Sequence, residues 1–133
     1  MNILIIEDRA DRVETLKSLY STFEPIVASE VEFAKEILSS NIFDLVHLDY
    51  DLDETTTEEL ASLFPEETKV VIHSENPNGV AVLLRLVENS IAIPFHKFAS
   101  KSPELSRLKA VISTGVKKDI IHQLTQLEMA TDL

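Results

Sequence analysis

The chain has no cysteine and only two glycines in its 133 residues. Without cysteine there is no disulfide framework, no thiolate nucleophile and no thiolate metal site. With Gly79 and Gly115 alone, no glycine-rich loop can cradle a nucleotide triphosphate, which excludes a P-loop enzyme. No apolar run in the sequence approaches the roughly 20 residues of a membrane span. Residues 1–9, MNILIIEDR, turn charged too soon for a signal peptide, so a cytoplasmic protein is expected. Basic residues are also scarce: 12 Lys and Arg against 23 Asp and Glu leave a net charge of -11. Such a surface does not suit a nucleic-acid backbone, whose phosphates need cations.

An apolar fraction of 44% and a charged fraction of 26% are ordinary for a globular protein, and the length suits one domain with a real core. The charge is unevenly spread. Residues 49–67 carry Asp49, Asp51, Asp53, Glu54, Glu58, Glu59, Glu66 and Glu67 with no basic residue. Residues 97–118 carry Lys97, Lys101, Arg107, Lys109, Lys117 and Lys118 against Glu104 alone. That basic side could meet an acidic partner or simply be solvated.

Short apolar runs alternate with helical patterns along the whole chain. NILII (2–6), PIVA (25–28), FDLVHL (43–48), 69–73 and IAIPF (91–95) read as strands, continuous enough to be buried on both faces. Between them, Val13, Leu16, Leu19, Tyr20 and Phe23 fall at helical spacing, as do Val31, Ala34, Ile37 and Leu38 behind a capping box of Ser29 and Glu32. Leu60, Leu63 and Phe64 mark a short helix over 57–64. Val80, Leu83, Leu84 and Val87 mark one over 78–88, and Pro103 opens another to about residue 113. Five strand–helix repeats predict an α/β domain: a doubly wound, five-stranded parallel sheet in three layers.

Such sheets bind ligands just beyond the carboxyl ends of their strands. Glu7 and Asp8 end the first predicted strand, Asp49 the third, and Ser74 the fourth, while Lys97 follows the fifth. HLDYDLDE (47–54) read alone could be a solvated acidic loop. In company with the other strand ends, it reads as one wall of a crevice. Converging carboxylates raise each other's pKa values unless a cation joins them, and an all-oxygen set points to Mg²⁺ or Mn²⁺. A metal beside a free carboxylate, a hydroxyl and a lysine supplies the parts for phosphoryl chemistry.

The acids of IIED, the strand FDLVHLD, the hydroxyl of VVIHS and the lysine of FHKF together resemble a receiver domain of the response-regulator superfamily, over residues 1–113. The resemblance implies a flavodoxin-like strand order, 2-1-3-4-5. It implies Asp49 as phosphoacceptor, Asp8 and Asp49 as direct metal ligands, Glu7 as a ligand through water, and the Asp51 carbonyl as a further ligand. It implies that Ser74 and Lys97 contact the phosphoryl oxygens. The pattern departs from that family at LDETTTEE, which lacks a proline and glycine turn, at Glu75 in place of a small residue, at Phe98 in place of proline, and at Pro94 in place of a switch aromatic.

Two stretches also resemble a divergent receiver branch proposed to process cyclic phosphates: LDYDLD, and HSENPNG over 73–79. By that resemblance His73 is a candidate acid or base, although Tyr50 and Asp53 stand where the branch has histidine and glycine. Asn76, Pro77, Asn78 and Gly79 are equally explained as a turn, and His73 as a packed core histidine.

Three functions follow. The favoured one is a stand-alone receiver that accepts or senses a phosphoryl group at Asp49, from a phosphodonor or another phosphate-containing small molecule. The second is a small metal-dependent enzyme opening cyclic phosphates. The third is a degenerate receiver that only binds a protein. Residues 114–133 form an extra C-terminal helix with Ile120, Leu124 and Leu127 in one stripe. The stripe is expected to serve a homodimer or a protein partner; the alternative is a helix folded back on its own domain.

Overall fold

The apolar run near the amino terminus forms β1 (Ile3–Ile6), with all four side chains buried. Successive side chains of a strand point to opposite faces, so a continuous aliphatic run calls for cover on both. In the computed structural model, which describes residues 1–99 and 101–131, α1 (Ala10–Leu19) and a 3-10 turn (Ser21–Phe23) follow. Next come β2 (Ile26–Ala28), α2 (Val31–Ser40) and β3 (Leu45–Leu48). A small hairpin, β4 (Asp51–Leu52) and β5 (Thr55–Thr56), leads to a 3-10 helix (Glu58–Leu63), β6 (Lys69–Ile72), α3 (Pro77–Leu86) and β7 (Ser90–Ala92). The chain ends in α4 (His96–Ala99), α5 (Pro103–Thr114) and α6 (Lys117–Thr131).

The central sheet runs β2-β1-β3-β6-β7, all parallel. Counting the sheet strands alone, this is the expected order 2-1-3-4-5. Ile6, Leu48 and Ile72 lie side by side in register. The ladder continues one residue further, with Asp49 N donating to Ile6 O at 3.1 Å and His73 N to Leu48 O at 3.0 Å. Glu7, Asp49 and His73 therefore form a row across the carboxyl end of the sheet. One face of the sheet packs under α1, α5 and α6, the other under α2, α3 and the Glu58–Leu63 helix.

Several local expectations are corrected. The N-cap of α2 is Glu30 in extended backbone, not Ser29, so the capping box is not what starts that helix. Leu84, whose spacing predicts an inward side chain, is 40% exposed. The last strand ends at Ala92, leaving Pro94 just beyond the final ladder bond, from Ile93 N to Ile72 O. The two glycines both have structural work. Gly115 ends α5 in the left-handed region at φ 73°, and a Cβ on Gly79 would come within 2.3 Å of the Tyr50 ring.

The C-terminal stripe is covered by its own chain. Ile120, Leu124 and Leu127 are buried in one core with Ile3, Leu16, Leu105 and Leu108, and Lys117 Nζ ties the start of α6 to Asp44 Oδ1 at 2.6 Å. The stripe takes the fold-back alternative, and its apolar surface is buried within the domain.

Candidate functional site

A cleft of about 200 Å³ opens at the carboxyl ends of β1, β3 and β6, lined by Asp8, Arg9, Arg12, Asp49, Asp51, Asp53, Ser74 and Glu75. Carboxylate oxygens of Glu7, Asp8 and Asp49 lie within 4.8 Å of one another. Glu7 and Asp49 arrive there as the residues following β1 and β3, and the sheet register fixes their spacing. Both are buried, Glu7 completely, whereas Asp8 is exposed. Backbone amides anchor the three: Asp8 N donates to Glu7 Oε2 at 3.1 Å, Tyr50 N to Asp49 Oδ1 at 2.8 Å, and Asp53 N to Asp8 Oδ2 at 2.9 Å. Asp53 reaches that position with φ at 56°, in the left-handed region where aspartate is better tolerated than most residues. The Thr57 hydroxyl pins the loop by donating to Asp49 O at 2.7 Å.

The electrostatics are those of carboxyls pressed together in a largely buried setting. Burial, then the hydrogen bond with Asp49 and its charge, push the Glu7 carboxyl from 4.5 up to about 8, against Arg12 and the Asp8 amide. Burial likewise raises Asp49, opposed by hydrogen bonds from Glu7, the Tyr50 amide and Ser74 and by the charge of Arg12. Both shifts favour the protonated form, so the pair takes up a proton more readily than two free carboxyls would. Glu7 Oε1 is buried with no hydrogen-bond partner among the described residues. A buried carboxylate oxygen without a hydrogen bond, two raised carboxyls and an all-oxygen donor set fit a hard divalent cation.

Of the residues expected at the site, Glu7, Asp8, Asp49, Asp51 and Ser74 do come together. Asp51 lines the cleft, but its carboxylate is not in the 4.8 Å cluster. Lys97 lies in α4, half-buried, and is not among the described residues lining the cleft. β7 ends at Ala92, and the chain turns into α4 at His96. His73 sits behind Glu7, not in the cleft, with Nδ1 3.9 Å from Glu7 Oε1. Burial, then the Arg12 charge, lower it to about 3, so the ring is neutral. The motif around it is a helix start: Asn76 Oδ1 accepts from Gly79 N at 3.1 Å, Pro77 opens α3, and Gly79 makes room for Tyr50.

Two residues were missed. Arg12 is 6% exposed, with its guanidinium 3.5 Å from Glu7 Oε1 and 4.7 Å above the Phe95 ring. Its spacing before Leu16 and Leu19 puts it on the inward stripe of α1, and a charge on a buried stripe was the available signal. His47 is fully buried, its Nε2 2.8 Å from the Tyr20 hydroxyl. It alternates with Leu45 and Asp49, which marks it as facing the same way.

No family model and no curated protein matches the sequence. Solved structures do. A CheY-like response regulator receiver domain from Methylobacillus flagellatus aligns at 20% identity and a TM-score of 0.59, over 86% of this chain and 97% of that one. One from Methanospirillum hungatei JF-1 aligns at 15% identity and 0.63, over 94% and 97%. The response regulator TrrA from Thermotoga maritima, in complex with Mg²⁺-BeF, aligns at 20% and 0.59, over 87% and 100%. The chain has the CheY-like receiver fold.

Proposed function

We propose that this chain is a phosphoryl-accepting signalling module whose acceptor is Asp49. The observation that carries the reading is the cluster of Glu7, Asp8 and Asp49 within 4.8 Å, two of them buried and one buried oxygen without a hydrogen bond. Glu7, Asp8 and Asp49 would hold Mg²⁺, or Mn²⁺, with the Asp51 carbonyl as a further candidate ligand. A bound ion would supply positive charge for the phosphoryl oxygens and favour the deprotonated form of Glu7 and Asp49, their proton passing to water. An oxygen of the deprotonated Asp49 attacks phosphorus in line. The bond from phosphorus to the donor's acyl oxygen breaks, and the carboxylate leaves with both electrons. The Ser74 hydroxyl, beside Asp49, donates to a phosphoryl oxygen. Lys97 is left out of this step, since it does not line the cleft. Residues 1–113 would be the receiver unit, acting in the cytoplasm, and 114–133 an addition whose helix α6 (Lys117–Thr131) completes its packing.

The cyclic-phosphate reading has less support. Its candidate acid or base, His73, is enclosed by Glu7, Phe95 and Phe98 and is neutral, and the HSENPNG stretch is accounted for by the start of α3. Acetyl phosphate with Mg²⁺ separates the two. One acid-labile acyl phosphate is expected on the wild type and none on Asp49→Asn, by intact mass. No adduct, together with opening of 2′,3′-cyclic nucleotides that is lost in His73→Ala, would favour the enzyme instead.

A further inference from the structure

Glu75 stands where the family resemblance calls for a small residue, and it does not simply crowd the cleft. Its side chain is 76% exposed, yet Oε1 alone is held by two guanidiniums, Arg12 Nη2 at 2.7 Å and Arg9 Nη1 at 3.1 Å. One anionic oxygen thus sits between two cations in the cleft wall, next to Ser74 and Asp49.

The two arginines are held from behind. Arg12 is fixed by Glu7 at 3.5 Å and by the Phe95 ring at 4.7 Å, and Asp11 orients Arg9 through a contact at 3.0 Å. The position of Arg12 therefore does not depend on Glu75, and Arg9 keeps a second carboxylate contact without it. Glu75, by contrast, is a solvated surface side chain, and ion pairs of that kind are weak enough to exchange with water and other anions. Guanidinium forks match phosphate oxygens as well as they match carboxylate, and bind the dianion more strongly.

We propose that Arg9 and Arg12 form an anion seat for the phosphoryl group arriving at Asp49, and that Glu75 occupies this seat until a phosphate dianion displaces it. The inference rests on the phosphoacceptor reading of the same cleft and adds the cations that Lys97 does not bring to it. Glu75 then acts as a built-in competitor that sets how readily the site takes a phosphate.

The test is a titration of the full chain with inorganic phosphate at saturating Mg²⁺, followed by phosphorus NMR. Glu75→Gln keeps the side-chain size and removes the competing charge, so it should bind phosphate roughly tenfold more tightly than wild type. Arg9→Gln, at an exposed position that leaves the fold intact, should bind several-fold more weakly, and adding it to Glu75→Gln should cancel the gain. An affinity in Glu75→Gln equal to or below that of wild type overturns the proposal, as does an undiminished affinity in Arg9→Gln. Adduct mass after acetyl phosphate, measured on the same proteins, tells the two readings apart. Tighter phosphate binding in Glu75→Gln with no adduct at Asp49 upholds the seat and removes the acceptor. A normal adduct with unchanged phosphate affinity does the reverse.

Discussion

The two faces of the sheet are built from different chemistry. Along β1, β3 and β6, the face under α2 and α3 presents Leu4, Ile6, Val46, Leu48, Val70 and Ile72, all buried. The face under α1, α5 and α6 begins the same way, with Ile3, Ile5, Leu45 and Val71, and then carries His47, Glu7, Asp49 and His73 toward the carboxyl end. Arg12 from α1 and Tyr20 just after it close over that polar strip. Aliphatic side chains would fill these positions at lower desolvation cost. The second face gives up core quality as it nears the cleft, which is where a site has use for buried polar groups.

The largest effect expected from this contrast is on the apolar face. Leu48→Ala, in a fully buried position between Ile6 and Ile72, should lower stability by about 2–5 kcal/mol in a denaturant titration. His73→Leu, on the neighbouring residue and the opposite face, should change it the other way. Both His73 nitrogens are buried without a hydrogen-bond partner among the described residues, so removing them should raise stability by roughly 1–3 kcal/mol. A loss of stability in His73→Leu would mean that the polar strip is structural.

Smaller per unit is the pH dependence of the chelated protein. The folded-state pKa of Glu7 is raised from 4.5 to about 8, so its contribution is present in acid and lost as pH rises across that range. His73 is lowered from 6.5 to about 3, so its contribution is present above 6.5 and lost as pH falls. The two oppose each other between 4.5 and 6.5, leaving only the Glu7 loss from 6.5 to 8. Melting temperatures should therefore fall over that upper window, by at most about 1.4 kcal/mol of stability per pH unit for one group. Added Mg²⁺ should cancel the fall, because a bound cation favours the deprotonated carboxyls. A flat profile from pH 6.5 to 8 without metal would mean that Glu7 ionises freely.

The strands and their acids were legible in the sequence because they depend on local pattern. Continuous aliphatic runs mark strands buried on both faces, and each run ends in the residue that reaches the crevice, Glu7, Asp49 or Ser74. What was misread depends on one-residue details of where elements stop. β7 ends at Ala92, and Lys97 is carried into α4. Arg12 was passed over because an arginine in a helix usually points to solvent, although its spacing from Leu16 put it inward. The tail stripe of Ile120, Leu124 and Leu127 was equally compatible with self-association and with folding back. An apolar stripe states that it is covered, not by what.

The central claim is that the cation binds where the strands end and not along the acidic stretch that follows. Titrating Mn²⁺ into the isotope-labelled chain, and reading which backbone amides broaden, tests it directly. Broadening should centre on Asp8, Asp49, Tyr50 and Ser74 and be lost in Asp49→Asn while the rest of the spectrum is kept. Broadening centred on Glu58 and Glu59, or a pattern unaltered by Asp49→Asn, would contradict it.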